Sequence, residues 1–97
     1  MKPYIGIVHQ DERSAYGITF PDAPGCFSAS DTLDEIFAKA EEALGLWIGT
    51  MMAERLATPQ PRDLSDLKGD PAWTTSFADA ALVIAVPSPS LLLPAAA

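Results

Sequence analysis

The order of apolar and polar positions at the start of the chain predicts two short β-strands joined as a hairpin. Tyr4–Gln10 and Ala15–Phe20 are rich in β-branched and aromatic side chains, and the four polar residues between them form a link of hairpin length. In the second segment Tyr16, Ile18 and Phe20 alternate with glycine and threonine. This alternation is typical of a strand with one buried face.

A turn and a third strand follow directly. Pro21–Gly25 reads PDAPG, in which the prolines fix φ and the glycine is free to take a positive φ, so we expect a tight, rigid turn. Within it, Asp22 is predicted to make an Asx-type hydrogen bond that stabilises the turn, in preference to binding a metal. Cys26–Ser30 is predicted to be the third strand.

The spacing of apolar residues then predicts an amphipathic helix over Leu33–Arg55. Thr32 and Glu35 have the spacing of a capping box, in which each side chain would accept a hydrogen bond from a backbone N–H of the first turn. Positions three or four residues apart form the expected core stripe: Leu33, Phe37, Ala40, Leu44, Trp47 and Met51, joined by Ile36 and Ile48.

The last third of the chain predicts a connector, a strand and a tail. Residues 58–79 are polar, with one helical turn expected from Ser65, and Trp73 is expected either to cover the sheet or to stay exposed. Ala80–Val86 is an unbroken apolar run that suits a strand covered on both faces. We expect it to lie beside the first strand, parallel to it through a right-handed crossover.

These elements predict an α+β fold: a four-stranded mixed sheet of order β-β-β-α-β with one long helix on one face. Residues 1–87 would form this domain. Residues 88–97 are an uncharged, apolar tail, and nothing after Val86 has the helical period or basic charge of a DNA-binding segment.

The residues from Phe20 to Leu44, FPDAPGCFSASDTLDEIFAKAEEAL, closely resemble the signature of the HicB antitoxin family. The signature is an aromatic residue, Pro-Asp-x-Pro-Gly-Cys, a short gap, Asp-Thr-x-x-Glu and an alanine-rich helix. The resemblance implies structural roles for these positions: Tyr16, Phe20, Pro21, Asp22, Pro24, Gly25, Cys26, Thr32 and Glu35. It also implies a partial RNase H-like fold and the function of a type II antitoxin.

The partner implied by the resemblance is HicA, a small basic mRNA interferase with a catalytic histidine, which the antitoxin would occlude. The net charge of −7 and the pI near 4.3 suit a basic partner and argue against direct nucleic-acid binding. We predict that Asp34, Glu41 and Glu42 supply the complementary charge. A homo-oligomer is expected as well.

The sequence offers little chemistry for catalysis. The first and last strands contain no carboxylate, whereas an active RNase H-type nuclease needs carboxylates there to hold Mg²⁺. His9 is expected to be a surface residue and Cys26 a small buried apolar one. We therefore predict no catalytic residue, metal or cofactor. A single cysteine and the lack of a long apolar run favour a cytoplasmic protein that does not enter a membrane.

One alternative from another class stays open. The absence of a DNA-binding segment after Val86 indicates either a shortened family member or a fragment of a longer chain. Together with the uncharged tail, it also suits an orphan HicB-like domain that forms homo-oligomers and binds a ligand or another protein.

Overall fold

The computed structural model describes residues 2–10 and 15–88. Two 3₁₀ turns, Leu33–Glu35 and Pro71–Trp73, lead directly into the first and third α-helices. The elements in chain order are β1 (Tyr4–Gln10), β2 (Tyr16–Thr19), β3 (Phe27–Ser30), α1 (Ile36–Ala53), α2 (Leu64–Lys68), α3 (Thr74–Ala78) and β4 (Leu82–Val86).

The four strands form one sheet in the order β3-β2-β1-β4. β1 and β2 pair as the predicted hairpin, with Val8 opposite Ile18, and the link between them lies outside the described residues. β4 lies beside β1 as expected, with Tyr4 opposite Val86, but the two strands are antiparallel. The α+β class, the four strands and the single long helix are confirmed. The parallel last strand is wrong, so the sheet is antiparallel and not mixed.

The path of the connector explains this orientation. After α1 the chain passes the start of β1, where the Tyr4 hydroxyl donates to the Pro59 carbonyl (2.8 Å). It then travels to the other end of β1, where His9 Nε2 and the Ser76 carbonyl are 2.9 Å apart and the Ala81 N–H donates to the Val8 carbonyl. Because β4 begins at that end, it can pair with β1 only by running back against it.

One face of the sheet packs against α1. Ile36, Ala40 and Leu44 are buried there, each four residues after the last, which is the spacing of a helix ridge that packs on a surface. Leu33 and Phe37 are 56% and 43% exposed, so their predicted place in the core stripe is wrong. Leu33 lies in the 3₁₀ turn before α1, which has fewer residues per turn than an α-helix, so Leu33 is out of register with the buried positions of α1.

The other face of the sheet packs against the connector. Strand alternation directs Ile5 and Ile7 away from α1, and both are buried. Leu67 of α2 is fully buried but lies outside the cluster of buried side chains on α1. The sequence predicted one short turn in this region, near α2, and missed α3. β4 itself is only partly covered, since Leu82, Val83 and Ile84 are half-buried.

Neither end of α1 has the usual residue arrangement, which is a capping box at the start of a helix and a glycine at its end. Neither Thr32 nor Glu35 makes a side-chain capping bond, so the predicted capping box is wrong. The buried Ser30 hydroxyl takes over part of this role, donating to the Thr32 carbonyl (2.7 Å) and accepting from the Thr32 N–H (3.3 Å). At the other end Arg55 has a φ of +58°, and its N–H donates to the Met52 carbonyl. This is the left-handed C-terminal turn that glycine usually occupies.

Candidate partner-binding surface

The PDAPG segment forms the tight turn that the sequence predicted. The Ala23 N–H donates to the Phe20 carbonyl (3.1 Å), the Cys26 N–H donates to the Ala23 carbonyl (2.9 Å), and Gly25 has a φ of +86°. Of the residues that resemble the family signature, Phe20, Pro21, Asp22 and Cys26 are buried, Tyr16 is half-buried, and Pro24, Gly25, Thr32 and Glu35 are exposed. The turn is therefore largely a structural element.

Asp22 makes contacts that its position in the turn did not predict. Its carboxylate accepts hydrogen bonds from the Arg62 backbone N–H (2.7 Å) and Nε (2.9 Å), with a further contact from the Arg62 guanidinium at 2.8 Å. The same guanidinium donates to Asp70 (3.1 Å). The expected Asx-type bond is wrong, because a buried carboxylate needs a charged partner and Arg62 supplies one from forty residues away.

Asp70 also holds the start of the turn that precedes α3, where its side chain accepts a hydrogen bond from the Ala72 N–H (2.9 Å). That bond and the Arg62 guanidinium lower the pKa of Asp70. We call Asp22, Arg62 and Asp70 the ionic cluster. It connects the PDAPG turn to the connector that covers the second face of the sheet.

Among the described residues, the potentially reactive side chains of Cys26 and His9 are packed or hydrogen-bonded within the fold. Cys26 is buried, as predicted, and burial raises the pKa of its thiol to about 11. His9 is half-buried beside the Ser76 carbonyl and is not the surface residue that the sequence predicted. Within residues 2–10 and 15–88, no three His, Cys, Asp or Glu side chains lie close enough together to hold a metal ion.

The predicted partner-binding residues Asp34, Glu41 and Glu42 are all exposed. Glu41 and Glu42 are neighbours in the first half of α1, and Asp34 lies about two turns earlier, in the 3₁₀ turn. Asp31 and Glu35 are exposed in the same stretch, and Lys39 is its one basic residue. We call residues 31–42 the acidic segment.

The acidic segment also exposes apolar side chains. Leu33 and Phe37 lie among its carboxylates and are 56% and 43% exposed. The sequence analysis assigned both to the core because they fit the helical spacing. A signal for Leu33 was available in the acidic Asp34 that follows it, but Phe37 stands between Ile36 and Ala38 and carries no such signal.

A second exposed surface has a different composition. Phe27, at the start of β3, is 68% exposed and Leu46 of α1 is 70% exposed. Between them lies a shallow groove of about 340 Å³, lined by Gly25, Cys26, Phe27, Ala43, Leu46, Trp47 and Thr50. Trp47, predicted as core, is only half-buried at its floor, and its Nε1–H donates to the Pro24 carbonyl (2.9 Å). We call this the Phe27–Leu46 surface.

Phe27 also borders a second cavity, of about 230 Å³, on the side of the connector. Trp73 lines this cavity together with Thr19, Pro21 and Pro24. Trp73 is half-buried, so it partly covers the end of the sheet. The start of β3 thus separates two cavities.

The described domain exposes an acidic segment and an apolar groove, and exposed apolar patches commonly mark binding surfaces. The sequence identifies the family, because the model of the HicB-like antitoxins of bacterial toxin–antitoxin systems matches residues 4–90. The chain belongs to this family. Within the described residues, no helix is long and apolar enough to cross a membrane.

Solved structures agree with this assignment. The chain is similar to a chain of a HicA3–HicB3 toxin–antitoxin complex, with 27% identity and a TM-score of 0.68 over 86% of this chain and 93% of that one. It is similar to the N-terminal domain of the Burkholderia pseudomallei antitoxin HicB, with 28% identity and a TM-score of 0.68 over 89% and 95% of the two chains. With the longer HicB structure of that organism it shares 26% identity and a TM-score of 0.71, and covers 62% of that chain.

A curated relative also matches. It is an uncharacterised 14.9 kDa protein of Haemophilus phage HP1, 34% identical over 61 residues. The aligned part is 63% of this chain and 46% of the phage protein, so the chain spans about half of that relative's length.

Proposed function

We propose that this protein is the antitoxin of a type II toxin–antitoxin pair and that it binds and occludes a small basic HicA-like mRNA interferase. Two findings support the proposal: membership of the HicB-like antitoxin family, and similarity to a chain solved in a HicA3–HicB3 complex. Inhibition by occlusion needs a stable scaffold and a complementary surface, and it needs no catalytic group.

The observation that carries the proposal is the acidic segment. Five exposed carboxylates, at Asp31, Asp34, Glu35, Glu41 and Glu42, lie along it with Lys39 as the only opposing charge. An enzyme that binds RNA must present a basic surface, so the two surfaces attract at long range. The exposed Leu33 and Phe37 supply apolar area that would be buried once the charges have oriented the complex.

The same charge distribution argues against a nucleic-acid role for this chain. Arg62 contacts Asp22 and Asp70, and Lys2 lies 3.2 Å from Asp63. Such scattered, paired cations do not form the basic patch that phosphate binding requires. We propose that the protein acts on its toxin without touching RNA or DNA, and that it does so in the reducing cytoplasm where a lone cysteine stays reduced.

The direct test uses the small basic protein encoded next to this gene. It measures whether this chain protects cells from that protein and how fast the two proteins associate and dissociate. Co-expression should protect cells from that protein, and the two should co-purify. Because electrostatic steering acts mainly on the encounter, association should slow as salt rises while dissociation changes little. Stopped-flow or biolayer measurements at several salt concentrations read out both rates.

Two double variants distinguish the effect of charge in the acidic segment from the effect of the net charge of the protein. Glu41→Lys with Glu42→Lys reverses two carboxylates in the acidic segment, and Asp66→Lys with Asp79→Lys makes the same change at two exposed positions of the connector. The first pair should slow association about tenfold more than the second. Equal slowing by both pairs would remove the acidic segment from the binding surface. Absence of any complex would defeat the antitoxin proposal.

A second candidate function is favoured by the Phe27–Leu46 surface. Two large apolar side chains, each at least two-thirds exposed, flank an open groove, and exposed apolar patches commonly mark binding sites. An orphan module that self-associates would use such a surface. Self-association also suits the antitoxin proposal, so we expect a homo-oligomer in either case.

A further inference from the structure

α1 covers its face of the sheet unevenly. Ile18 of β2, Val8 of β1 and Leu82 of β4 form one row across three strands. Ile18 and Val8 are 1% and 0% exposed, whereas Leu82 is only half-buried against the same core. Ile84, which stands opposite Gly6 in the next row on this face, is half-buried as well. The cover that α1 provides is therefore incomplete at β4.

The side of α1 that faces β4 continues this partly covered area. Ile48 is half-buried against the core, and Met52, one turn later on the same side, is 46% exposed. Leu46 lies about 200° around the helix from Ile48, and it lines the groove with Phe27 on the side of β3. The two half-buried strand residues and these two helix residues form what we call the β4–α1 surface: Leu82, Ile84, Ile48 and Met52.

The chain leaves β4 at one end of this surface. Val86, the last residue of β4, pairs with Tyr4, whose ring meets Trp47 of α1 edge to face at 6.4 Å. Two residues further on, the Ser88 hydroxyl donates to the Lys2 carbonyl (3.4 Å). Residues 89–97 lie outside the described part of the chain, and their sequence, PSLLLPAAA, contains three consecutive leucines and no charged residue.

We propose that Leu91–Leu93 docks on the β4–α1 surface of its own chain and covers the part of the core that α1 leaves open. Three adjacent leucines are unfavourable in water, and the β4–α1 surface is partly covered apolar area beside the point where the chain leaves β4. Docking there removes both apolar areas from water at once.

The length of the intervening chain fits this arrangement. Pro87–Ser90 can span at most about 14 Å, and Ile84 lies two residues, about 7 Å, back along β4 from Val86. Three residues in an extended conformation cover about 10 Å. The turn of α1 between Ile48 and Met52 is about 6 Å long, so three leucines are long enough to cover it.

Charge and tethering favour the tail as the occupant. No charged residue follows Asp79, so the tail and β4 are both uncharged, and α1 has no charge between residues 43 and 53. Glu41 borders the surface, since it lies about two turns before Ile48 on the same side of α1. An uncharged segment meets no repulsion there, and four residues tether it at a local concentration on the order of millimolar. A basic partner is better matched by the acidic segment.

Protection of introduced thiols measures the docking. Ile84→Cys and Met52→Cys each place a thiol on the β4–α1 surface, and Leu46→Cys places one on the other side of α1. Replacing all three leucines of the tail with serine should speed maleimide labelling at residues 84 and 52 about tenfold and leave labelling at residue 46 unchanged. Mass spectrometry separates these thiols from the buried Cys26, and circular dichroism checks that each variant folds.

A matched change within the tail controls for its composition. Replacing Ala95, Ala96 and Ala97 with serine introduces the same three residues but keeps the leucines, so labelling should stay slow at residues 84 and 52. In proteins without introduced thiols, the leucine replacement should lower the melting temperature by about 5 °C and the alanine replacement should not change it. Equal effects of the two replacements would overturn the proposal.

Three other outcomes would also overturn it, and each has a different meaning. Fast labelling at residues 84 and 52 with the leucines intact would show that the surface is open. Protection that increases with protein concentration would mean that the tail of a second copy covers the surface. Protection that arises only when the toxin is added would make it a toxin-binding surface. The inference does not depend on the proposed antitoxin function, which the toxin-binding experiments test separately.

Discussion

The two faces of the sheet are covered in different ways. α1 covers one face with a single helix of 18 residues whose buried side chains repeat every four positions. The connector covers the other with two five-residue helices, which are held through Leu67 and the ionic cluster. Long helices gain stability from continuous packing, whereas short ones are marginal without tertiary contacts. We therefore expect the first face to determine whether the protein folds and the second to depend on a few specific bonds.

The largest expected effect comes from the α1 face. Leu44→Ala should cost about 3–4 kcal/mol of unfolding free energy, because Leu44 is fully buried and its loss leaves a cavity. Phe37→Ala should cost about 1 kcal/mol or less, since that side chain is 43% exposed. Urea unfolding followed by circular dichroism measures both. A larger loss for Phe37 than for Leu44 would mean that α1 packs on the sheet through the side that carries Phe37 and not through the buried Ile36, Ala40 and Leu44.

The difference between the two faces also explains what the sequence could predict. β1, the PDAPG turn and the extent of α1 are encoded by neighbouring residues, through alternation, proline and glycine, and helical spacing. Arg62 lies forty residues from Asp22, and nothing near Asp22 in the chain indicates that its partner is an arginine of the connector. The direction of β4 follows from the same connector, so it was missed for the same reason.

The candidate surfaces divide in a similar way. The exposure of Asp34, Glu41 and Glu42 could be predicted, because acidic residues on a helix rarely face a core. The Phe27–Leu46 surface could not, since it forms only where the start of β3 meets the second half of α1. Helical spacing alone cannot show that Leu46 and Phe27 line one groove.

The second prediction concerns the face of the sheet that the connector covers. Asp22→Ala should cost about 2–3 kcal/mol, somewhat below the loss for a fully buried ion pair, because the remaining Arg62 can reach solvent. Hydrogen exchange should speed up in α2 and α3 while protection in α1 stays close to that of the unaltered protein. Asp63→Ala is the control, since the Lys2–Asp63 pair is exposed on both sides. Equal loss of protection on both faces would show that they unfold as one unit.

A fall in pH should weaken the packing of the connector on the sheet, because it protonates Asp70. Its pKa is lowered in the folded protein by the Ala72 N–H and Arg62, so Asp70 contributes stability above its unfolded pKa of about 3.8 and loses it as pH falls through the lower folded value. Asp70→Asn keeps the acceptor for Ala72 but removes the charge. The stability difference between the two proteins in urea should shrink as pH falls from about 5 to about 3. A difference that is constant over this range would exclude the charge of Asp70 as its cause.

The smallest expected effect is a gain at the end of α1. Arg55 holds a positive φ of 58°, which glycine adopts without steric cost. Arg55→Gly should raise the unfolding free energy by about 0.5–1 kcal/mol. Arg55→Ala, which keeps the steric cost and also removes the charge, should give no gain. If both variants behave alike in thermal melts, charge and not backbone geometry controls this position.

The antiparallel pairing of Tyr4 with Val86 has a practical consequence for handling the protein. It brings both ends of the described domain to one corner of the sheet, close to the C-terminal half of α1, where Tyr4 and Trp47 meet edge to face at 6.4 Å. The acidic segment begins before the other end of that helix, and Ile36, the first residue of α1, lies about 17 Å from Trp47 along the helix axis. A sensor-chip tether attached at Lys2 or Ser88 would therefore lie away from the start of the acidic segment, whereas one engineered into the first half of α1 would obstruct it.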